Sequence, residues 1–191
     1  MPSSFAVTVD ELVLARARAG DEAALEQLFR RFETPVYTLA RRLMRSAPDA
    51  EDVLQETFLE VVRSIRRFRG DGSLAGWIRR VAASKALMRL RARGGRTFEE
   101  LVPEEIGDGA FPHASGVATA AERVDLAAAL DRLSDAARTV IWLHDVEGYS
   151  HDEIAAMAGK TPSFSKSQLA RAHARLRELL APATVAEGSC T

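Results

Sequence analysis

The sequence predicts an all-α protein: two small helical domains joined by a flexible acidic linker, the C-terminal one containing a helix-turn-helix. Three observations lead there. Apolar residues recur at helical spacing along most of the chain, with turn residues between the runs. One stretch breaks that pattern with Pro103, Gly107, Gly109, Pro112 and Gly116. Charge, finally, is sorted by sign. Positions 49–60 hold five acids and no base, 63–96 eleven bases and one acid, 97–125 seven acids and one base, and 160–177 five bases and no acid. The formal net charge of −1 therefore conceals two basic surfaces flanking an acidic connector. Such a pair suits one polyanion touched twice, and the acidic block at 49–60 suits a further, oppositely charged partner.

Each element follows from local sequence. Residues 1–20 read as an N-terminal extension and residues 21–95 as the first domain. Asp21 precedes Ala24, Leu25, Leu28, Phe29 and Phe32, an i, i+3, i+4 stripe, with Glu22 and Glu26 where the helix dipole favours acids. Pro35 is placed to open a second helix, with Val36, Leu39, Ala40, Leu43 and Met44 on one face. After a break at Ser46, Ala47, Pro48 and Asp49, a third helix is predicted over about residues 50–67, with Val53, Leu54, Thr57, Phe58, Val61 and Ile65 inward. Gly70, Asp71, Gly72 and Ser73 form a turn. A fourth helix, about residues 74–91, carries Trp77, Ile78, Val81, Leu87 and Leu90, and Gly94 and Gly95 close the domain.

Residues 96–119 are the acidic linker and residues 120–182 the second domain. Its first helix puts Val124, Leu126, Ala127, Leu130 and Leu133 on one stripe. Ser134 caps a helix through Ala137, Val140, Ile141 and Leu143. Gly148, Tyr149 and Ser150 make a turn. Ser150 and Glu153 then form a capping box for a short helix that Gly159 ends. A last helix, about residues 163–180, stops ahead of Pro182, and residues 183–191 are expected to be a disordered tail.

Composition narrows the function. The lone Cys190 rules out a disulfide framework within the chain and fits a reducing, cytoplasmic setting. The N-terminus lacks a basic stretch followed by an apolar run, so no secretory signal is expected, and no apolar run reaches membrane-span length. His113, His144, His151 and His173 lack metal-ligand spacing, and there is no glycine-rich phosphate loop. The expectation is a non-enzyme with no catalytic residues, metal or cofactor.

Three constellations remain. From Ser150 to Gly159 and through the following helix the spacing is that of a helix-turn-helix: Ala155 is small enough for a close crossing, and Gly159 supplies the turn. The second helix offers Gln168 and Arg171 for base edges, and Ser163, Ser165, Lys166, Ser167 and Arg175 for bases or phosphates. The same spacing also fits a plain helical hairpin with a solvated basic face. From position 63 to 96, Phe68 and Trp77 interleave with Arg66, Arg67, Arg69, Arg79, Arg80, Lys85, Arg89, Arg91 and Arg93, a mixture suited to unstacked bases and their backbone. Trp77 nonetheless lies on the apolar stripe, which makes packing its main expected role. Lastly, Asp52 and Glu56 share a helix face one turn apart, a repulsion that a basic partner would relieve. The helix dipole accounts for acids at Asp49, Glu51 and Asp52 but poorly for Glu56.

Three short motifs occur in order: Asp49-Ala50-Glu51-Asp52 with Gln55-Glu56-Thr57-Phe58; Phe68-Arg69-Gly70-Asp71 with Trp77-Ile78 and Arg80-Val81-Ala82; and Val146-Glu147-Gly148-Tyr149-Ser150 with Glu153-Ile154-Ala155. In these the chain resembles the extracytoplasmic function (ECF) sigma factors of bacterial RNA polymerase over about residues 21–180. The resemblance implies a promoter-specificity subunit for a stress- or signal-responsive regulon, with core RNA polymerase (its β and β′ subunits) and promoter DNA as partners. It implies core docking through Asp49, Glu51, Asp52, Gln55 and Glu56. It implies opening and reading of the minus-ten element by Arg69, Asp71, Ser73, Trp77, Arg80, Ser84 and Lys85. Ser163, Ser165, Lys166, Ser167, Gln168, Arg171 and Arg175 would read the minus-thirty-five element. An anti-sigma factor is a further implied partner, through which a cytoplasmic protein without membrane insertion could be held at the membrane. Lys160, Phe164 and Ser165, and Ser84 and Met88 in the minus-ten helix, depart from the residues usual in that family.

A helix-turn-helix regulator acting without polymerase is the alternative. The acidic face at Asp49–Glu56 separates the two readings, because a simple regulator has no need of it.

Overall fold

The computed structural model describes residues 5–70, 72–93 and 120–181. Helix α1 spans Glu11–Ala19, α2 Glu22–Met44, α3 Ala47–Ser64, α4 Leu74–Arg93, α5 Ala120–Asp131, α6 Asp135–Ile141, α7 His151–Ala158 and α8 Pro162–Leu180. A 3₁₀ turn, Ile65–Arg67, follows α3, and a π-helical turn, Trp142–Val146, follows α6. Among the described residues every regular element is helical. The acidic linker, Asp71 and the C-terminal tail predicted from sequence lie outside the described residues.

Two differences from the sequence reading stand in the first domain. The segment read as an extension contains α1, bounded by an Asp10 side chain that accepts from the Leu12 amide and by Gly20 at φ +88°. It lies against α2 and the 3₁₀ turn, and Arg18 donates to the Phe68 carbonyl at 2.5 Å. The second difference is at Pro35, which does not start a helix but sits buried within the single long α2. The stripe Leu28, Phe32, Val36, Leu39 and Leu43 runs through it without a change of face and is fully buried. At about 2 kcal/mol per buried side chain of this size, that continuity outweighs the backbone hydrogen bond a proline forfeits.

Helices α2, α3 and α4 pack on one another around Phe32, Leu39, Val53, Ile65, Ile78 and Leu87. In the second unit α5, α6 and α7 pack on α8. Ser134 caps α6, and Ser150 with Glu153 closes the predicted capping box on α7. Thr161 accepts from the Phe164 amide to start α8 one residue earlier than expected. In α5 the inward residues are Ala129 and Leu130, followed by Leu133 in the turn beyond it, whereas Leu126 and Ala127 of the predicted stripe are exposed.

The two units do not stand apart. Helix α4 packs on α7 and α6, α2 touches α6, and the buried side chains form one apolar cluster through both. Arg45, the only described non-glycine residue with positive φ (+57°), ends α2 at this junction.

Candidate nucleic-acid interface

The residues expected to contact polymerase lie at the start of α3, whose N-cap is Ser46. They do not form one exposed acidic face. Asp49 is turned inward and 1% exposed; its carboxylate accepts from Arg89 at 3.1 Å and from Arg93. Burial alone would raise its pKa, but hydrogen bonds from Ser46, Arg89 and Arg93 outweigh this and hold the carboxyl below its usual range. Arg89 also reaches Asp52 and, at 3.2 Å, Glu56. One guanidinium from α4 thus relieves the repulsion that the sequence reading assigned to an outside partner. Glu51, Gln55 and Glu56 remain exposed on the outer face, beside the exposed apolar residues Leu59 and Val62.

On α4, Trp77 is half-buried with its ring 5.3 Å from that of Phe68, whose other neighbour is the Arg18 guanidinium at 5.4 Å. Packing is therefore its role in this conformation. Arg69 and Ser73 are exposed, and the Ser73 hydroxyl accepts from the Gly76 amide to start the helix. Lys85 pairs with Glu60 at 3.2 Å, Arg80 lies 3.8 Å from Glu153 of α7, and Ser84 is half-buried.

On α8 the expected readers divide. Ser163, Lys166 and Arg175 are exposed, and Ser167 and Arg171 are partly so. Ser165 and Gln168 are buried, at 0% and 3% exposure, and do not face solvent. The reason is helical phase: both lie on the side that carries Leu169, Ala172 and Leu176 into the core. Ser165 instead shares a hydrogen bond with His151 Nδ1 at 3.0 Å.

Comparison with known proteins bears on what this arrangement is. Residues 28–96 match the Sigma-70 region 2 family and residues 123–176 the Sigma-70 region 4 family. The ECF RNA polymerase sigma factor SigM of Mycobacterium tuberculosis is 34% identical over 171 residues, covering 90% of this chain and 84% of SigM. The chain belongs to the ECF sigma factor family. The sigma factor CarQ of Myxococcus xanthus is 33% identical over 169 residues, 87% of this chain and 95% of CarQ. CnrH, a sigma factor of Cupriavidus metallidurans, is similar in structure: in complex with the cytosolic domain of CnrY it matches 90% of this chain and 96% of its own, with 26% identity and a TM-score of 0.51.

This sigma factor carries one cluster that spacing in the sequence concealed. The His144 ring stacks on that of His151 with centroids 4.5 Å apart. Asp145 accepts from His144 Nδ1 at 2.7 Å and from His173 Nε2 at 2.6 Å. The π-helical turn, α7 and α8 are tied together by these contacts. Burial, then the neighbouring His144 and Lys166, pushes the His151 pKa down. Among the described residues no histidine, cysteine or acid cluster has the geometry of a metal site, and no helix is long and apolar enough to cross a membrane.

Proposed function

We propose that this sigma factor docks on core RNA polymerase through the outer face of α3, opens and reads the minus-ten element with α4 and the loop before it, and reads the minus-thirty-five element with the exposed edge of α8. The reading is supported above all by the coincidence of the two matched sigma regions with the two helical units. The docking residues are then Glu51, Gln55 and Glu56, with Asp52 shared between partner and fold, and Asp49 acting as the buried brace beneath them. Lys166, Arg171 and Arg175 are the upstream readers, whereas Ser165 and Gln168 shape the helix from inside. The protein works in the cytoplasm, has no catalytic role of its own, and serves a stress- or signal-responsive regulon. CnrH is seen with the cytosolic domain of CnrY; a bound partner protein extends to this chain too, and the family resemblance makes an anti-sigma factor its expected kind.

Run-off transcription from genomic fragments, using core polymerase reconstituted with the full chain, tests this reading. Specific transcripts are expected, and Glu51→Arg should weaken core binding several-fold with an unchanged melting curve. A chain that binds duplex DNA tightly but never core polymerase would instead be a polymerase-independent helix-turn-helix regulator.

A further inference from the structure

Helix α1 reaches across the first unit to the exit of the 3₁₀ turn. Arg18, on its last turn, donates from Nη2 to the Phe68 carbonyl at 2.5 Å. The same guanidinium lies 5.4 Å from the centroid of the Phe68 ring, which in turn lies 5.3 Å from the Trp77 ring. Phe68 is where the chain leaves the turn: its amide still donates to the Ile65 carbonyl at 3.1 Å, and its own backbone is extended (φ −64°, ψ 111°). Two further contacts hold α1 in place. Arg16 pairs at 2.8 Å with Asp21, the N-cap of α2. Gly20 lies so close to Arg66 of the 3₁₀ turn that a Cβ there would meet Nη2 at 2.9 Å.

Stability alone does not account for Arg18. The residue is half-buried, and its Nε finds no hydrogen-bond partner among the described residues. Sheltering a cation while leaving one of its donors unused is unfavourable. An uncharged side chain of similar length would cover Phe68 without that penalty. What the guanidinium adds is direction. A charge-assisted hydrogen bond fixes the Phe68 carbonyl, and the flat cation fixes the ring of the same residue. One group therefore sets both the backbone and the side chain of Phe68. The next residue is Arg69, and the ring against Phe68 is that of Trp77. Both belong to the residues assigned to the minus-ten element.

We infer that Arg18 is a positioning residue for promoter opening: by holding Phe68 it sets where Arg69 leaves the core and how the Trp77 ring is presented to the minus-ten strand. The promoter use rests on the reading of α4 given under Proposed function; the positioning of Phe68 and Trp77 does not. Helix α1 then does more than cover α2. It ties the strand-reading face to a residue 50 positions earlier in the chain. Arg18 lies outside the apolar cluster formed by α2, α3 and α4. Its loss should therefore fall on the strand and not on polymerase docking, which is assigned to the outer face of α3.

Two measurements on the full chain test this. With Trp142→Phe, Trp77 is the one remaining tryptophan and its fluorescence reports its own surroundings. Arg18→Met should shift that emission to the red and raise its quenching by acrylamide. Arg18→Lys, which keeps a cation able to donate to the carbonyl, should recover part of the change. Holoenzyme is then assembled with core polymerase and given a promoter fragment returned by run-off transcription. The fragment is used as a fork with a single-stranded minus-ten element, and as the upstream duplex alone. Arg18→Met should weaken fork binding by about tenfold and leave core and upstream-duplex binding unchanged. Arg16→Met is the control for α1 as a whole: it breaks the pair with Asp21 but not the hold on Phe68. It should lower the melting temperature and spare the fork. An unmoved Trp77 signal in Arg18→Met would overturn the positioning, as would equal fork losses in Arg16→Met and Arg18→Met. A moved signal with unchanged fork affinity would overturn the promoter use. A parent holoenzyme that yields no specific transcript, or holds the fork no better than a scrambled strand, overturns the reading of α4 and the promoter use with it; the Trp77 signal still decides the positioning.

Discussion

Replacing Asp49 with asparagine isolates the electrostatics beneath the proposed docking face. Asn keeps the volume, so no cavity opens; what is lost is the charge that Arg89 and Arg93 share. Removing one member of a buried ion pair typically costs about 3–5 kcal/mol. Two features of the site reduce that. Arg89 keeps Asp52 and Glu56 as partners, and Arg93, 53% exposed, can rehydrate. An expected loss of about 2 kcal/mol follows, which moves a urea midpoint by about 1 M for an ordinary dependence on denaturant. The pH dependence supplies an internal check. Because the folded carboxyl titrates below its ordinary value of 3.8, its contribution is complete above that pH and is lost as pH falls through the folded value. The gap between parent and variant should therefore be full at neutral pH and narrow in acid. Exposed Glu51→Gln is the control and should move stability by less than about 0.5 kcal/mol. A cost for Asp49→Asn no larger than that control, or one independent of pH down to unfolding, would refute the buried-brace argument.

Other consequences are testable in the same preparations. Ser150→Ala removes the hydroxyl half of the α7 capping box, leaving the residue-150 amide on the Glu153 carboxylate, and should lower stability by about 1 kcal/mol in thermal melts. Burial lowers the His151 pKa, so the unfolded chain takes up its proton first. Stability should fall as pH drops below 6.5, and His151→Gln should flatten that part of a urea-midpoint profile despite the nearby His144, Asp145, Asp152 and Lys166. Arg171→Ala should weaken binding to the upstream element by about 1–3 kcal/mol if it meets a base, whereas Gln168→Ala, on the buried side of α8, should lower the melting temperature without changing sequence preference. Asp52→Arg, which by sequence alone reverses a free surface charge, places a second guanidinium beside Arg89 and should destabilise the fold as well as core binding.

Helix positions, caps and the helix-turn-helix were legible because each depends on residues within a few positions: Ser134, Ser150, Glu153 and Gly159 act where their spacing places them. The fusion of two predicted helices across Pro35 was not, because burial of a continuous stripe decided it against a local proline rule. The direction in which the expected site residues point was not legible. Ser165 and Gln168 have the chemistry of base readers, yet a rotation of one position around α8 decides whether a side chain meets solvent or Leu169. Asp49 reads as a surface acid until α4 is packed beside it, since Arg89 and Arg93 lie some forty residues further along the chain. The histidine cluster and the contacts of Arg45 with the Leu133 carbonyl and of Arg138 with the Leu43 carbonyl have the same origin, being contacts between elements that periodicity does not place in space.

Arg45 ends α2 with a backbone angle, φ +57°, that side chains rarely adopt, a conformation costing on the order of 1 kcal/mol. The guanidinium that accompanies this strain holds the Leu133 carbonyl and Asp135 of the other unit. The last turn of α2 is therefore secured from outside its own domain. A fragment cut at the linker would retain every core residue of the first unit yet release this terminus, fraying where the intact chain is firm. The unit that unfolds cooperatively is thus larger than the unit that the sequence delimits, and hydrogen exchange at the end of α2 reports on the company it keeps as much as on its own helix.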